Sequence, residues 1–241
     1  MKRFTLSGIA IVAAALITQV GTATEMVKFK VTVQNVTANN VLSPYFAYVL
    51  PQGASHFSLG KMAPLGIAEV AETGSTATLE KELAGRGDVV ATAKADGVTR
   101  SGESKEIEIS VDKADLYKGA ALHLVAMIGR SNDSFITSRA VPLYTVAKSH
   151  GGVTFHAVNL DAGSEENTGN VEDFGPGGHP TMGAEGKISY DRGLNSRGTA
   201  PSRSPGVARQ PSFQLKPSTN LVLAGGKLVS APSGASLAAH I

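Results

Sequence analysis

Apolar and polar residues alternate over two stretches of the chain. From Val27 to Val33 every second residue is apolar, and the residues between them are Lys or Thr. A second stretch places Ile107, Ile109 and Val111 on alternate positions. A period of two is the pattern of a strand with one buried face. Each stretch is therefore predicted to form a half-buried β-strand.

Several shorter runs of apolar or β-branched residues are separated by Gly, Asn, Asp, Ser or Pro. These runs are 45–50, 89–93, 122–128, 135–136, 141–144 and 153–158. They do not alternate with long helical segments, which a parallel α/β sheet would require. The pattern predicts an all-β fold, an antiparallel β-sandwich.

Helical spacing is confined to one region of the chain. Ile67, Val70 and Ala71 form one short amphipathic stretch, Leu79 and Leu83 form another, and a glycine lies between the two. Because glycine disfavours helix continuation, the region predicts one or two short helices beside the sandwich.

The first residues have the pattern of a secretory signal peptide. Lys2 and Arg3 precede an uncharged apolar run, 4–20, and small residues follow up to Ala23. We predict a signal peptide over 1–23 with cleavage after Ala23. The alternative is an uncleaved anchor, but the run is shorter than the roughly 20 apolar residues that span a bilayer. The predicted location is therefore secreted, periplasmic or cell-surface, and no later segment of the sequence predicts a membrane span.

The composition changes after Tyr190. Residues 191–241 are rich in Pro, Ser and Arg, and such a segment buries too little apolar surface to offset the entropy of ordering it. We predict one β-sandwich domain over 25–190 and a flexible tail over 191–241. From Asn220 onward the tail contains Leu221, Val222, Leu223, Leu228 and Val229, so a small strand or docking segment is the alternative for this part.

Charge and cysteine content limit the classes of function. The predicted leader holds two of the 22 Lys and Arg residues and none of the 20 Asp and Glu residues, so 20 of each remain. A balanced charge disfavours a nucleic-acid partner. The range 24–190 holds 14 basic and 19 acidic residues, a net of −5, which suits cations. The chain has no cysteine, so an exported form depends on burial, hydrogen bonds or a bound ion.

Five segments together resemble the spondin N-terminal domain in its bacterial form. They are Ser43–Pro44, 66–83, 122–144 with its Ser-Asn-Asp-Ser turn, 160–167 with Asp-Ala-Gly, and 174–178. The similarity covers about 26–190. The resemblance implies a C2-like antiparallel sandwich used outside the cell for adhesion or binding to a surface or matrix component, protein or glycan.

The resemblance also implies a calcium ion bound by carboxylates of two loops. The matching positions are Asp133, Asp161 and Glu165. The chain differs from the family in Ser134, where an aromatic residue is usual, and in Glu165, where Asp is more common. Calcium takes about 6–8 oxygen ligands, so carbonyls and water would complete the set. The alternative is that the two aspartates cap turns and that Glu165 belongs to a solvated acidic loop.

Catalytic motifs are not evident in the sequence. It contains no Gly-x-Ser-x-Gly, His-Glu-x-x-His or phosphate-binding loop, and the spacing of His150, His156 and His179 fits no standard zinc pattern. We therefore predict a non-enzymatic binding module. A metal-dependent hydrolase that uses the same acidic cluster and a structural envelope subunit remain as alternatives.

Overall fold

The structure is a computed structural model that describes residues 25–37, 39–149, 152–174, 183–191, 212–223 and 227–230, the last two ranges by their backbone only. The predicted signal peptide, 1–23, lies outside the described residues. The strands are β1 (Glu25–Gln34), β2 (Phe46–Leu50), β3 (Ala91–Lys94), β4 (Ser104–Asp112), β5 (Ala121–Met127), β6 (Ser134–Thr137), β7 (Val141–Pro142), β8 (Val153–His156), β9 (Val158–Asp161), β10 (Ser189–Tyr190), β11 (Ser212–Leu223) and β12 (Lys227–Ser230).

The strands form two antiparallel sheets. The first, called the seven-strand sheet, has the order β10-β9-β6-β5-β2-β3, and β7 also pairs with β5. The second, called the β1 sheet, has the order β12-β11-β1-β4, and β8 pairs with β11. The prediction of a β-rich antiparallel fold is confirmed.

One apolar core contains residues of both sheets. In β1, Phe29, Val31 and Val33 are fully buried, as the alternating sequence predicts, and they share a cluster with Tyr45 and Leu122. The hydroxyl of Tyr45 donates to the carbonyl oxygens of β1 and β4 residues. This polar contact satisfies a hydroxyl that is otherwise surrounded by apolar side chains.

Four short α-helices occur in the described residues: α1 (Leu65–Thr73), α2 (Ala77–Ala84), α3 (Lys113–Tyr117) and α4 (Leu143–Lys148). Helices α1 and α2 lie where the sequence predicts them, and Gly74, with φ of 73°, ends α1. Their buried residues Ile67, Val70, Leu79 and Leu83 form a second apolar cluster with the seven-strand sheet. This cluster covers the face of the sheet that is opposite the first core.

The prediction of short helices is confirmed for α1 and α2, and the structure adds two more that the sequence did not predict, α3 and α4. Helix α3 begins after Asp112, whose carboxylate accepts from the N–H of Ala114 at 2.8 Å. The run 141–144, predicted as a strand, divides into β7 and the start of α4 at Pro142. Proline lacks the N–H that a strand ladder needs, but it is well tolerated at a helix start.

Strands β11 and β12 lie within 191–241, the range for which a flexible tail is predicted. The structure thus places strands in part of that range, while 192–211, 224–226 and 231–241 lie outside the described residues. Among the helices of the described ranges, none is long and apolar enough to cross a bilayer.

Candidate functional site

The two predicted aspartates meet at one end of the seven-strand sheet. Asp133 ends the turn that precedes β6, and Asp161 is the last residue of β9. The β6–β9 ladder pairs Ser134 with Asp161, and the N–H of Ala162 donates to the carbonyl oxygen of Asp133 at 3.0 Å. The turn and the loop after β9 are therefore held together by backbone hydrogen bonds.

Asp133 is fully buried, and its two carboxylate oxygens have different surroundings. Oδ2 accepts from the N–H of Ser164 at 2.8 Å, from the Ser164 hydroxyl at 3.2 Å and from the N–H of Glu165 at 3.0 Å. Oδ1 is buried as well and has no hydrogen-bond partner among the described residues. A buried oxygen without a partner is costly, so this atom requires an explanation.

Asp161 is also buried, with 4% of its surface exposed. Its Oδ1 accepts from the N–H of Gly163 at 2.7 Å, and its Oδ2 accepts from the amide of Asn167. The same amide nitrogen donates to Oε1 of Glu185 at 3.2 Å. Asn167 therefore connects the buried aspartate with a third, exposed carboxylate.

Burial shifts the ionisation of both aspartates, and the charge of a neighbouring carboxylate adds to the shift in each. Desolvation raises the pKa of Asp133, although hydrogen bonds from Glu165 and Ser164 act in the opposite direction. Desolvation, followed by the charge of Asp133, raises the pKa of Asp161 to about 6. Two neighbouring buried carboxylates resist simultaneous ionisation unless a proton or a cation neutralises them.

Gly163 allows the loop after β9 to turn back toward Asp133. Its φ is +65°, and a Cβ atom at this position would lie 2.3 Å from the carbonyl oxygen of Lys187. A side chain therefore fits neither the backbone conformation nor the available space. The close approach places Asp161 and the N–H groups of Ser164 and Glu165 around one point.

Glu165 is placed in the site by its backbone, since its N–H donates to Asp133. Its side chain is half-buried. The part of the chain that the structure describes holds no group of three or more His, Asp or Glu side chains arranged to bind a metal ion. Asp133 and Asp161 fit a cation site because they are buried together and one oxygen has no partner, but the structure does not show Glu165 as a third carboxylate ligand.

A cleft of about 570 Å³ opens beside the aspartate pair. Asp161, Glu185 and Asp191 lie on its walls together with Leu59 and Tyr190. The side chains of Leu59 and Tyr190 are 47% and 57% exposed, respectively. The cleft therefore combines negative charge with an apolar rim.

Sequence reasoning missed Asn167, Glu185 and the rim residues. Glu185 follows a glycine-rich segment, and no periodicity or spacing connects it with Asp161. The polar residue Asn167, two positions after Glu165, is a signal that could have been used. Of the three histidines considered for a zinc site, His156 is exposed on β8, while His150 and His179 lie outside the described residues. Residues 175–178 of the segment 174–178 also lie outside them.

Comparison with known proteins adds no function. No protein-family model matches the chain, and no curated protein is significantly similar to it. The resemblance to the spondin N-terminal domain stays a prediction, and the functional argument depends on the geometry of the site.

Proposed function

We propose that this chain is an exported binding module with a C2-like β-sandwich, in which Ca²⁺ at Asp133 and Asp161 stabilises a surface that binds a partner outside the cytoplasm. The observation that carries the proposal is Oδ1 of Asp133, which is buried without a partner next to a second buried carboxylate. A divalent cation would satisfy this oxygen and remove the repulsion between the two aspartates.

The chemistry of the donors supports calcium among the divalent ions. Asp133 and Asp161 supply carboxylate oxygens, and the neighbouring Asn167 offers an amide oxygen when its side chain is rotated. Calcium binds oxygen ligands of this kind and completes its shell with backbone carbonyls and water. When bound, the ion would supply positive charge that holds the β5–β6 turn and the loop after β9 together.

The cleft beside the aspartate pair supports the binding of a partner. Leu59 and Tyr190 expose apolar surface beside the acidic walls of the cleft, and exposed apolar surface next to polar groups is typical of interaction sites. Asp161 lies both in the aspartate pair and on a wall of the cleft. An ion at the aspartates would therefore change the charge that a partner meets in the cleft.

Thermal unfolding of the mature chain with calcium and with a chelator tests the proposal. Calcium at 100 times its Kd adds about 2.7 kcal/mol, and each kcal/mol raises Tm by about 2–4 °C in a chain of this size. We expect a rise of about 5–10 °C for the parent protein. Asp133→Asn and Asp161→Asn should remove this rise, and in chelator each should be at least as stable as the parent because a buried charge is gone.

Glu172→Ala is the matched control, because Glu172 is an exposed carboxylate in the same loop. It should retain the full response to calcium. An equal loss of the response in all three variants would indicate diffuse acidity and contradict the site. A parent protein that does not respond to calcium at millimolar concentration would also contradict it.

A metal-dependent hydrolase is the second candidate, and one observation favours it. Asp161 has a pKa of about 6, close to the value that a general acid or base requires at neutral pH. Turnover of ester, phosphate or glycan substrates by the parent and its loss in Asp161→Asn would support this candidate. Calcium-dependent stability without turnover would support the binding module.

A further inference from the structure

A second cleft lies at the opposite edge of the seven-strand sheet, between α2 and the edge strand β3. Its volume is about 750 Å³. Phe46, Leu83, Val89 and Val90 supply an apolar lining, and Ala84 lies on the helix wall. We call this cleft the α2–β3 groove. It shares no lining residue with the cleft beside the aspartates.

Strand β3 forms one wall of the groove and is an edge strand in the part of the chain that the structure describes. It pairs with β2 alone. The N–H of Ala95 donates to the carbonyl oxygen of Tyr45 on the β2 side. Since backbone groups alternate in direction along an antiparallel strand, the N–H and C=O of Thr92 and Lys94 point away from β2.

An edge of this kind is a template for another strand. Proteins protect such edges with bulges, proline or charge, and β3 has Lys94 as its one charged residue. Lys94 is partly neutralised, because its Nζ lies 3.2 Å from Oε1 of Glu80 on α2. The ion pair connects α2 to the edge strand, and Thr92 beside it is exposed.

The charge of the groove indicates what kind of segment it would accept. Lys81 and Arg86 lie on the groove walls with Glu80 as the one acidic side chain. Arg86 is bound to Asp88 through two hydrogen bonds of 2.8 Å, and Glu80 is bound to Lys94. Lys81 is exposed on the helix wall, so the groove offers a positive charge to a carboxylate.

We propose that the α2–β3 groove binds an extended segment of a partner protein, which adds to β3 as a further strand, places an apolar side chain in the groove and directs a carboxylate toward Lys81. Backbone hydrogen bonds to Thr92 and Lys94 supply affinity, and the groove selects the side chain that enters it. The four residues of β3 limit the segment to a similarly short length. The proposal does not depend on a bound cation.

The test uses a synthetic octapeptide of alternating Val and Thr that ends in a Glu with a free carboxylate. Its matched control ends in a Gln amide. NMR of the ¹⁵N-labelled mature chain, in chelator, follows hydrogen exchange and chemical shifts of the Thr92 and Lys94 amides. We expect slower exchange at both amides with the acidic peptide, and at least tenfold weaker binding of the amide control.

Two variants separate strand addition from contact with side chains alone. Thr92→Pro removes an N–H that points away from β2, and proline is tolerated at such an edge position. Lys81→Glu reverses the charge of the helix wall, and Lys118→Glu is its control because Lys118 is an exposed lysine on another helix end. Thr92→Pro and Lys81→Glu should each weaken the binding of the acidic peptide at least tenfold. Lys118→Glu should leave its affinity unchanged.

Three results would overturn the proposal. The first is no chemical-shift change at the Thr92 or Lys94 amide with millimolar acidic peptide. The second is equal affinity of the parent and Lys81→Glu for that peptide. The third is slow hydrogen exchange of the Thr92 and Lys94 amides in the free protein. The last result would mean that another segment of this chain or a second copy already covers the edge. Because the assay is run in chelator, failure of the calcium site would leave its outcome unchanged.

Discussion

Two buried rings, Tyr48 and His123, stack on the face of the seven-strand sheet that α1 and α2 cover. Their centroids are 5.1 Å apart with an interplanar angle of 7°. Oη of Tyr48 and Nε2 of His123 are buried without hydrogen-bond partners among the described residues. Burial, with the charge of Arg86 as a smaller cause, lowers the pKa of His123 to about 4. The ring is therefore neutral in the folded protein at neutral pH.

This histidine makes stability depend on pH in a definite direction. In the unfolded chain its pKa is near 6.5, so between about 6.5 and 4 the unfolded state binds more protons than the folded state. The contribution of neutral His123 is complete above about pH 6.5 and decreases as the pH falls toward 4. The difference of about 2.5 pKa units corresponds to roughly 3 kcal/mol.

His123→Phe should remove this acid sensitivity, because phenylalanine keeps a ring on Tyr48 but does not titrate. The measurement is urea unfolding of the parent and the variant at pH 7 and pH 4.5. We expect the loss of unfolding free energy on acidification to be about 2–3 kcal/mol smaller in the variant. Asp161 titrates in the same range in both proteins, so the comparison isolates the histidine. An identical loss in both would contradict the assignment.

At the scale of elements, the loop after β9 depends on one glycine. Gly163 has a positive φ, and a Cβ atom there would lie 2.3 Å from the carbonyl oxygen of Lys187. Gly186 also has a positive φ, +80°, but a Cβ atom there would meet nothing within 4 Å. The two positions share the conformational constraint and differ in the available space.

Substituting each glycine by alanine separates these two effects. Gly186→Ala should cost about 1–2 kcal/mol through the left-handed backbone alone. Gly163→Ala should cost more, by at least about 1 kcal/mol, because Lys187 must also move. Denaturant unfolding measures both losses, and the calcium-dependent Tm rise should decrease in Gly163→Ala alone. Equal losses would show that the loop accommodates the side chain.

The sequence predicts elements best where one face of the element is buried. Alternation identified β1 and β4, and helical spacing identified α1 and α2, since each buries a regular set of side chains. Helices α3 and α4 contain only five and six residues, too few for a periodic pattern. The two aspartates were assigned through the resemblance to the spondin N-terminal domain, whereas Glu185 reaches the site through tertiary folding that no local pattern encodes.

At the scale of the whole molecule, β11 is the element that the composition of the chain conceals. Its twelve residues include Pro217, which lacks an N–H and is paired with Phe29 where the register between β1 and β11 shifts. Proline is confined to edges and irregularities of a sheet, and this irregularity accommodates it. A Pro- and Ser-rich segment can therefore form a strand when a neighbouring strand supplies the backbone partners.

Truncation separates a flexible tail from a strand of the β1 sheet. A chain that ends at Asp191 lacks β11, which pairs nine residues of β1 and also joins β8 and β12 to the sheet. Each lost hydrogen bond contributes about 1 kcal/mol, so we expect Tm to fall by at least about 5 °C or cooperative unfolding to disappear. The exposed edge of β1 should also promote association, which gel filtration measures.

A chain that ends at Ser230 keeps both strands and should match the parent. If the chain ending at Asp191 also matched the parent in Tm and elution, residues after it would contribute no strand to the fold, and 191–241 would behave as the flexible tail that its composition predicts.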